Sequence, residues 1–411
     1  MNKYRENLSI EEDFLHKLTL NDNIHQGIPP SLDDVTFLSL CKKQKLSKLA
    51  ANNLLSGPFE LKKFSPPLHN QLKQALMLHD HEIALYQSVL KEIIRLLEEI
   101  NVSPIVMKGP YQVDGMIRDF GDLDLLVPKK SIPTIHELML NKGFNYVGYD
   151  RNLWIKKKEK DDIATLLEWS NQFEYLHPKT SLLIEFHSDF FEPSRVYPIY
   201  LAKFLEQKHR MTEQACFNNK LNCKQLLPMD RLWLMCMHTA LKRSVAKHSF
   251  CLRNILIIFQ LSSYPGIDWQ FFLEQSYKTD TLPFVIYSLQ LTKSFYPCPD
   301  IPDLSPWENK LTIGQKLMIR FHHKAYVNFA KTNRIWCSFY RYLEPLVTPS
   351  PLSRKIRSLT IIPLFFAPPW SLRKTYSLKR HSPLVFLAYP MEPFRWSFRL
   401  IRKVVRMLRR G

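Results

Sequence analysis

The stretch Ile105–Pro128, IVMKGPYQVDGMIRDFGDLDLLVP, decides how the chain is read. It opens on an apolar run, Pro104–Gly109, and closes on Asp122–Val127, DLDLLV, stopped by Pro128. The first reads as a short buried strand running into a turn and the second as another strand. The sequence has only 10 glycines, yet Gly109, Gly115, Gly121, Gly143 and Gly148 all fall between residues 109 and 148. Glycine permits positive φ and close backbone approach, so this concentration predicts several tight turns around one place. With a strand period of two, Asp122 and Asp124 share a face with Leu126, while Leu123, Leu125 and Val127 take the other. Two like charges so close repel unless a cation lies between them. Mg²⁺ meets that need with one or two carboxylates, water and phosphate oxygens. Lys108 and Gly109 suit the approach of a triphosphate to backbone amides, and Arg118 suits a bidentate phosphate contact. On these residues alone two plainer readings stay open. The acids can face water at a strand end, and Arg118 can pair with Asp114 or Asp119.

The flanking sequence supplies the architecture. Leu76, Ile83, Tyr86, Leu90, Ile93 and Leu97 recur at helical steps, predicting a helix from about Leu72 to Ile100, ended by Asn101 and Pro104. Ser131–Lys142 reads as a helix with Pro133 in its first turn and Gly143 as its stop. FNYVGY and NLWIKKK read as a strand pair, and Ser181–Phe191, SLLIEFHSDFF, as a further strand. From Pro228 to Ser294 the pattern turns helical. Asp230 near the start of PMDRLWLMCMHTALKR agrees with the helix dipole, and Asp268 stands where an N-cap belongs. The expected fold class is α+β, a mixed sheet with flanking helices plus helical N- and C-terminal regions. The expected divisions are 1–71 (helical), 72–200 (sheet domain), 201–350 (helical) and 351–411 (a basic, aromatic tail).

A strand ending in Gly, followed by Asp-Leu-Asp-Leu, resembles the polymerase-beta-type nucleotidyltransferase superfamily. More narrowly, PIVMKG…R…GDLDLLV resembles an uncharacterised nucleotidyltransferase family often found beside bacterial surface-polysaccharide genes. IEFHSDF matches its later acid-and-histidine strand, and DRLWLMCMHTALKR, LRNILIIF and GIDWQFF resemble its helical half. The resemblance covers roughly residues 75–295 and implies transfer of a nucleoside monophosphate from an NTP to an unidentified acceptor, with Mg²⁺ or Mn²⁺ as cofactor. By the same resemblance Asp122, Asp124 and Glu185 would be the catalytic, metal-binding acids. Lys108, Gly109, Arg118 and His187 would contact the nucleotide, with His238 a further candidate. Two differences are visible: Pro110 follows the glycine and donates no amide, and Glu185 stands where Asp is usual. The competing expectation is a degenerate domain that binds nucleotide or a partner without catalysis. Asp-x-Asp glycosyltransferases place their acids after an apolar strand, whereas here the acids open it.

Charge is unevenly spread. The net charge is +19, and residues 351–411 hold 14 Lys and Arg against Glu392 alone. In the last stretch Phe394, Phe398, Ile401, Val405 and Leu408 form one apolar stripe flanked by arginines, as in a helix lying on an anionic membrane surface. Nucleic acid is the alternative partner for residues 393–410, but the apolar stripe favours lipid. Seven scattered cysteines without a CxxC pair suggest reduced thiols, and the charged N-terminal residues do not read as a secretory signal. The expected location is cytoplasmic, peripheral at the inner face of the membrane.

Overall fold

Ile105–Lys108 (β1) pairs antiparallel with Asp122–Leu126 (β2), and a register shift falls between Val106 and Lys108. β2 lies parallel to Leu183–His187 (β5), which pairs antiparallel with Gln172–Leu176 (β4). Asn145–Tyr146 (β3) closes that edge. On the other side, β1 runs parallel to Leu221–Leu226 (β7), whose antiparallel partner is Thr212–Phe217 (β6). Among the described residues the sheet has seven strands in the order β3-β4-β5-β2-β1-β7-β6. The structure is a computed structural model describing residues 8–20, 28–57, 65–108, 121–147, 171–190, 212–217, 221–241, 252–317 and 319–320, with isolated residues 163, 167, 376, 384, 387 and 391.

The β2 alternation separates two cores. Leu123, Leu125 and Val127 join Phe173, Tyr175, Ile184 and Phe186 in one apolar cluster. It is covered by the C-terminal half of Pro66–Glu98 (α4) and by Ile132–Asn141 (α5). Met107, Leu126 and Leu226 belong to a second cluster. There they meet Ile10–Leu20 (α1), Asp34–Gln44 (α2), Ser47–Ser56 (α3), Pro228–Leu241 (α6), Leu252–Ser262 (α7), Trp269–Lys278 (α8), Leu282–Phe295 (α9) and Ser305–Asn309 (α10). The acids of β2 share their face with Leu126, so they look toward the helical side of the sheet.

Local chemistry explains the element ends. Ser65 accepts a hydrogen bond from Leu68 N (3.3 Å) and a proline follows, so α4 starts six residues ahead of the expected Leu72. Asn101, with φ 54°, follows its end. Gly143, with φ 82°, follows α5, a left-handed position that a side chain would strain. Asp268 caps α8 by accepting from Phe271 N at 2.9 Å, as its position predicted.

Two parts of the sheet differ from expectation. β4 was not foreseen, although Gln172–Leu176 alternates polar and apolar residues. The sheet also continues past residue 200, because β6 and β7 lie in the span expected to be helical. The expected partner of FNYVGY, NLWIKKK, lies outside the described residues; among those described, β3 pairs with β4. The N-terminal helices pack into the same core as α6–α9. His16 Nε2 lies 2.7 Å from Phe295 O, and Leu252 N donates to Gln44 Oε1 at 2.8 Å. No helix of the described residues is long and apolar enough to cross a membrane, and residues 393–410 lie outside them.

Candidate functional site

The parallel register of β2 and β5 sets Asp124 directly beside Glu185 and Leu126 beside His187. Paired residues of neighbouring strands point to the same face, so Asp122, Asp124, Glu185 and His187 all stand opposite the Leu123–Phe186 core. These are not acids at a solvated strand end. Asp124 is 2% exposed, His187 5% and Glu185 9%, whereas Asp122 is half-buried at the strand's beginning. His187 Nε2 lies 2.9 Å from Asp124 Oδ1 and 3.5 Å from Glu185 Oε2.

The strand end carrying His187 is pinned by its backbone. His187 O accepts from Val127 N at 2.9 Å, and Ser188 N donates to Asn171 O at 2.7 Å. The backbone that carries the imidazole is therefore fixed beside the two carboxylates. Across β5, Glu174 pairs with Glu185 in register, and Gln172 pairs with His187. Gln172 Nε2 donates to Glu174 Oε1 at 3.0 Å. Asp124, Glu185 and Glu174 thus form a row of carboxylates across three strands. Sequence reading missed Glu174, and the period-two alternation QFEYL was the signal that it belonged to a strand facing the same way.

Among the described residues, Asp124, Glu185 and His187 are the group able to hold a metal ion, with one ligand atom from each lying within 4.8 Å of the others. The donor set fits a divalent ion. Neighbouring ligands at about 2.1 Å from an octahedral centre stand roughly 3 Å apart, close to the His187–Asp124 separation. The structure brings two of the three expected metal ligands, Asp124 and Glu185, into this group. It adds His187, expected as a nucleotide contact, and leaves Asp122 outside the group though on the same face. Lys108 is placed by its backbone, opposite Asp124 at the end of β1. Gly109 and Arg118 lie outside the described residues.

β1 and β7 run parallel, so α6 begins at the sheet end where β1 finishes. Asp230, in the first turn of α6, is buried, and burial pushes its carboxyl up to about 7. The helix dipole predicted a comfortable anion there; desolvation outweighs it. His238, a candidate from the helical half, is half-buried on α6, with Nδ1 3.5 Å from Asn254 Nδ2 of α7, and is not part of the metal-holding group.

A family model described as uncharacterised nucleotidyltransferase matches residues 30–297, more than half of the 411 residues. No curated protein and no solved structure matches the chain. The matched span contains the whole sheet, the acid-bearing strands and the helices α2 to α9, and by that match the chain belongs to the uncharacterised nucleotidyltransferase family.

Proposed function

We propose that the chain is a metal-dependent enzyme that moves a nucleoside monophosphate from an NTP to an acceptor hydroxyl or phosphate, releasing pyrophosphate. The observation that carries this reading is the buried pairing of Asp124 with Glu185 on adjacent parallel strands, closed by His187. Two carboxylates withdrawn from water beside each other need a compensating cation. A divalent ion, Mg²⁺ or Mn²⁺, would supply phosphate-charge neutralisation and oxygen alignment. Asp124 and Glu185 hold their oxygens from rigid strands. Asp122, half-buried at the start of β2, is assigned to the triphosphate side. Lys108, whose backbone ends β1 opposite Asp124, is assigned to the phosphates together with Gly109 and Arg118. In the transfer, a bond forms between the acceptor oxygen and the α-phosphorus, and the bond from that phosphorus to the pyrophosphate oxygen breaks. A hydroxyl acceptor gives its proton to solvent.

Placement in the polymerase-beta-type superfamily, an acceptor in surface-polysaccharide synthesis and a cytoplasmic location are parts of the same proposal. Attachment of residues 393–410 to anionic membrane is another part, and undiminished sedimentation with anionic vesicles after their deletion would refute it. The main test is thermal unfolding with Mg²⁺ or Mn²⁺ and each NTP in turn, on wild type and on an Asp122→Asn/Asp124→Asn variant. A ligand at 100 times its Kd stabilises by about 2.7 kcal/mol. The expected result is a gain with at least one NTP that the variant loses. No gain with any NTP, in a folded wild type, would instead support a degenerate domain that binds a partner without catalysis.

A further inference from the structure

We propose that His187 is itself a metal ligand through Nε2, so that Asp124, Glu185 and His187 form a mixed nitrogen–oxygen centre that takes a first-row transition dication such as Mn²⁺ in preference to Mg²⁺. The inference rests on the metal-dependent reading above and names the class of ion.

Three observations support it. First, His187 is 5% exposed and its Nε2 faces two carboxylates, at 2.9 and 3.5 Å, on one face of two paired strands. A phosphate oxygen brought within hydrogen-bonding distance of that nitrogen would also meet Asp124 and Glu185, and like charge would repel it. A cation at the same place is attracted by all three groups. Second, the charges balance. Two carboxylates and a neutral imidazole around one dication make a group with no net charge, which suits a position where water has little access. Glu174, in register beside Glu185, lies outside that ligand group, and its Oε1 accepts from Gln172 Nε2. Third, the donor chemistry selects. Mg²⁺ favours oxygen ligands and keeps its water, whereas imidazole nitrogen suits first-row transition ions. On binding, Nε2 gives its lone pair to the ion; the ring proton of a neutral imidazole then sits on Nδ1, and the second proton of an imidazolium goes to solvent.

The experiment uses the full chain with Mn²⁺ alone as the probe. Binding is titrated from the disappearance of the free Mn²⁺ electron paramagnetic resonance signal. The bound ion is then examined by electron spin-echo modulation for coupling to ¹⁴N, which a directly bound imidazole produces. Mg²⁺ is titrated in competition, on wild type, His187→Gln and Asp124→Asn. We expect one Mn²⁺ with ¹⁴N coupling in the wild type, and Mn²⁺ held at least tenfold more tightly than Mg²⁺. His187→Gln should lose the coupling and most of that preference. The wild-type spectrum needs no variant, so poor folding of either substitution leaves the test intact. Mn²⁺ bound without ¹⁴N coupling, and lost in Asp124→Asn, would overturn the inference while leaving a carboxylate metal site in place. Coupling that persists unchanged in both variants would put the ion elsewhere and also overturn it. No Mn²⁺ binding at all would remove the metal-dependent reading together with this one.

Discussion

Asp230 sits in the first turn of α6 with its carboxyl buried, and its Oδ2 meets no hydrogen-bond partner among the described residues. Burial raises its pKa from 3.8 to about 7. As pH rises from about 4, the unfolded chain loses this proton first, so stability falls between about pH 4 and 7 and levels off above. At about 1.36 kcal/mol per pKa unit the whole effect is bounded near 4 kcal/mol, and relaxation around the charge reduces it. Asp230→Asn should therefore be about 1–3 kcal/mol more stable than wild type at pH 8 and nearly equal to it at pH 4, measured by urea unfolding. A variant that is weaker at pH 8 would mean that the ionised carboxylate has a compensating partner. At this scale the sequence showed part of the site. The spacing of Asp122 and Asp124 put them on one face because the strand period is local. That Asp124 would be buried and Asp122 only half-buried, or that Nε2 of His187 would lie between two carboxylates, depends on how β2 and β5 are registered. Register is a non-local property that one strand's sequence does not contain.

The strands β2 and β5 hold the acids at a fixed spacing because their other face is anchored in an apolar core. Phe186 lies between Glu185 and His187 in the chain and points the opposite way. It is fully buried and meets Tyr175 edge-on at 5.7 Å. Phe186→Ala should cost about 3–5 kcal/mol in urea unfolding, the usual range for a buried aromatic truncation. A loss below about 1 kcal/mol would mean that this face is not the packed anchor described. The turn between β4 and β5 is tied down as well. Thr180 N donates to His177 Nδ1 at 3.2 Å, and His177 Nε2 lies 3.2 Å from Glu92 Oε2 on α4. Long periodic elements were legible: α4, α5, α6 and the Asp268 cap followed from spacing and end residues. The short strand β4 and the β6–β7 pair were not read, because five- or six-residue alternations compete with loop patterns and gain their stability from neighbours.

Across the molecule, α4 links the two cores. Its 33 residues span about 50 Å, with Leu68 and Leu72 in the helical core and Tyr86 to Leu97 under the sheet. Helices α1–α3 complete the helical core, where Thr19 Oγ1 lies 2.8 Å from Tyr296 OH and Lys48 pairs with Glu82 of α4. The helical N-terminal residues are therefore part of the folding unit. Deleting residues 1–57 should leave a protein that aggregates or unfolds without a cooperative transition, read by calorimetry. A soluble fragment with a sharp transition near that of the wild type would contradict the shared core. The Asp124–Glu185–His187 face is assigned nucleoside monophosphate transfer. Its most direct test offers the protein, with Mn²⁺ or Mg²⁺, an NTP labelled at either the α- or the γ-phosphorus and a cell extract as acceptor source. α-Label is expected to enter an acceptor and γ-label to leave as pyrophosphate, with neither occurring in Asp124→Asn. Transfer of γ-label to the acceptor, or no α-label transfer by a wild type that binds the NTP, would contradict that assignment.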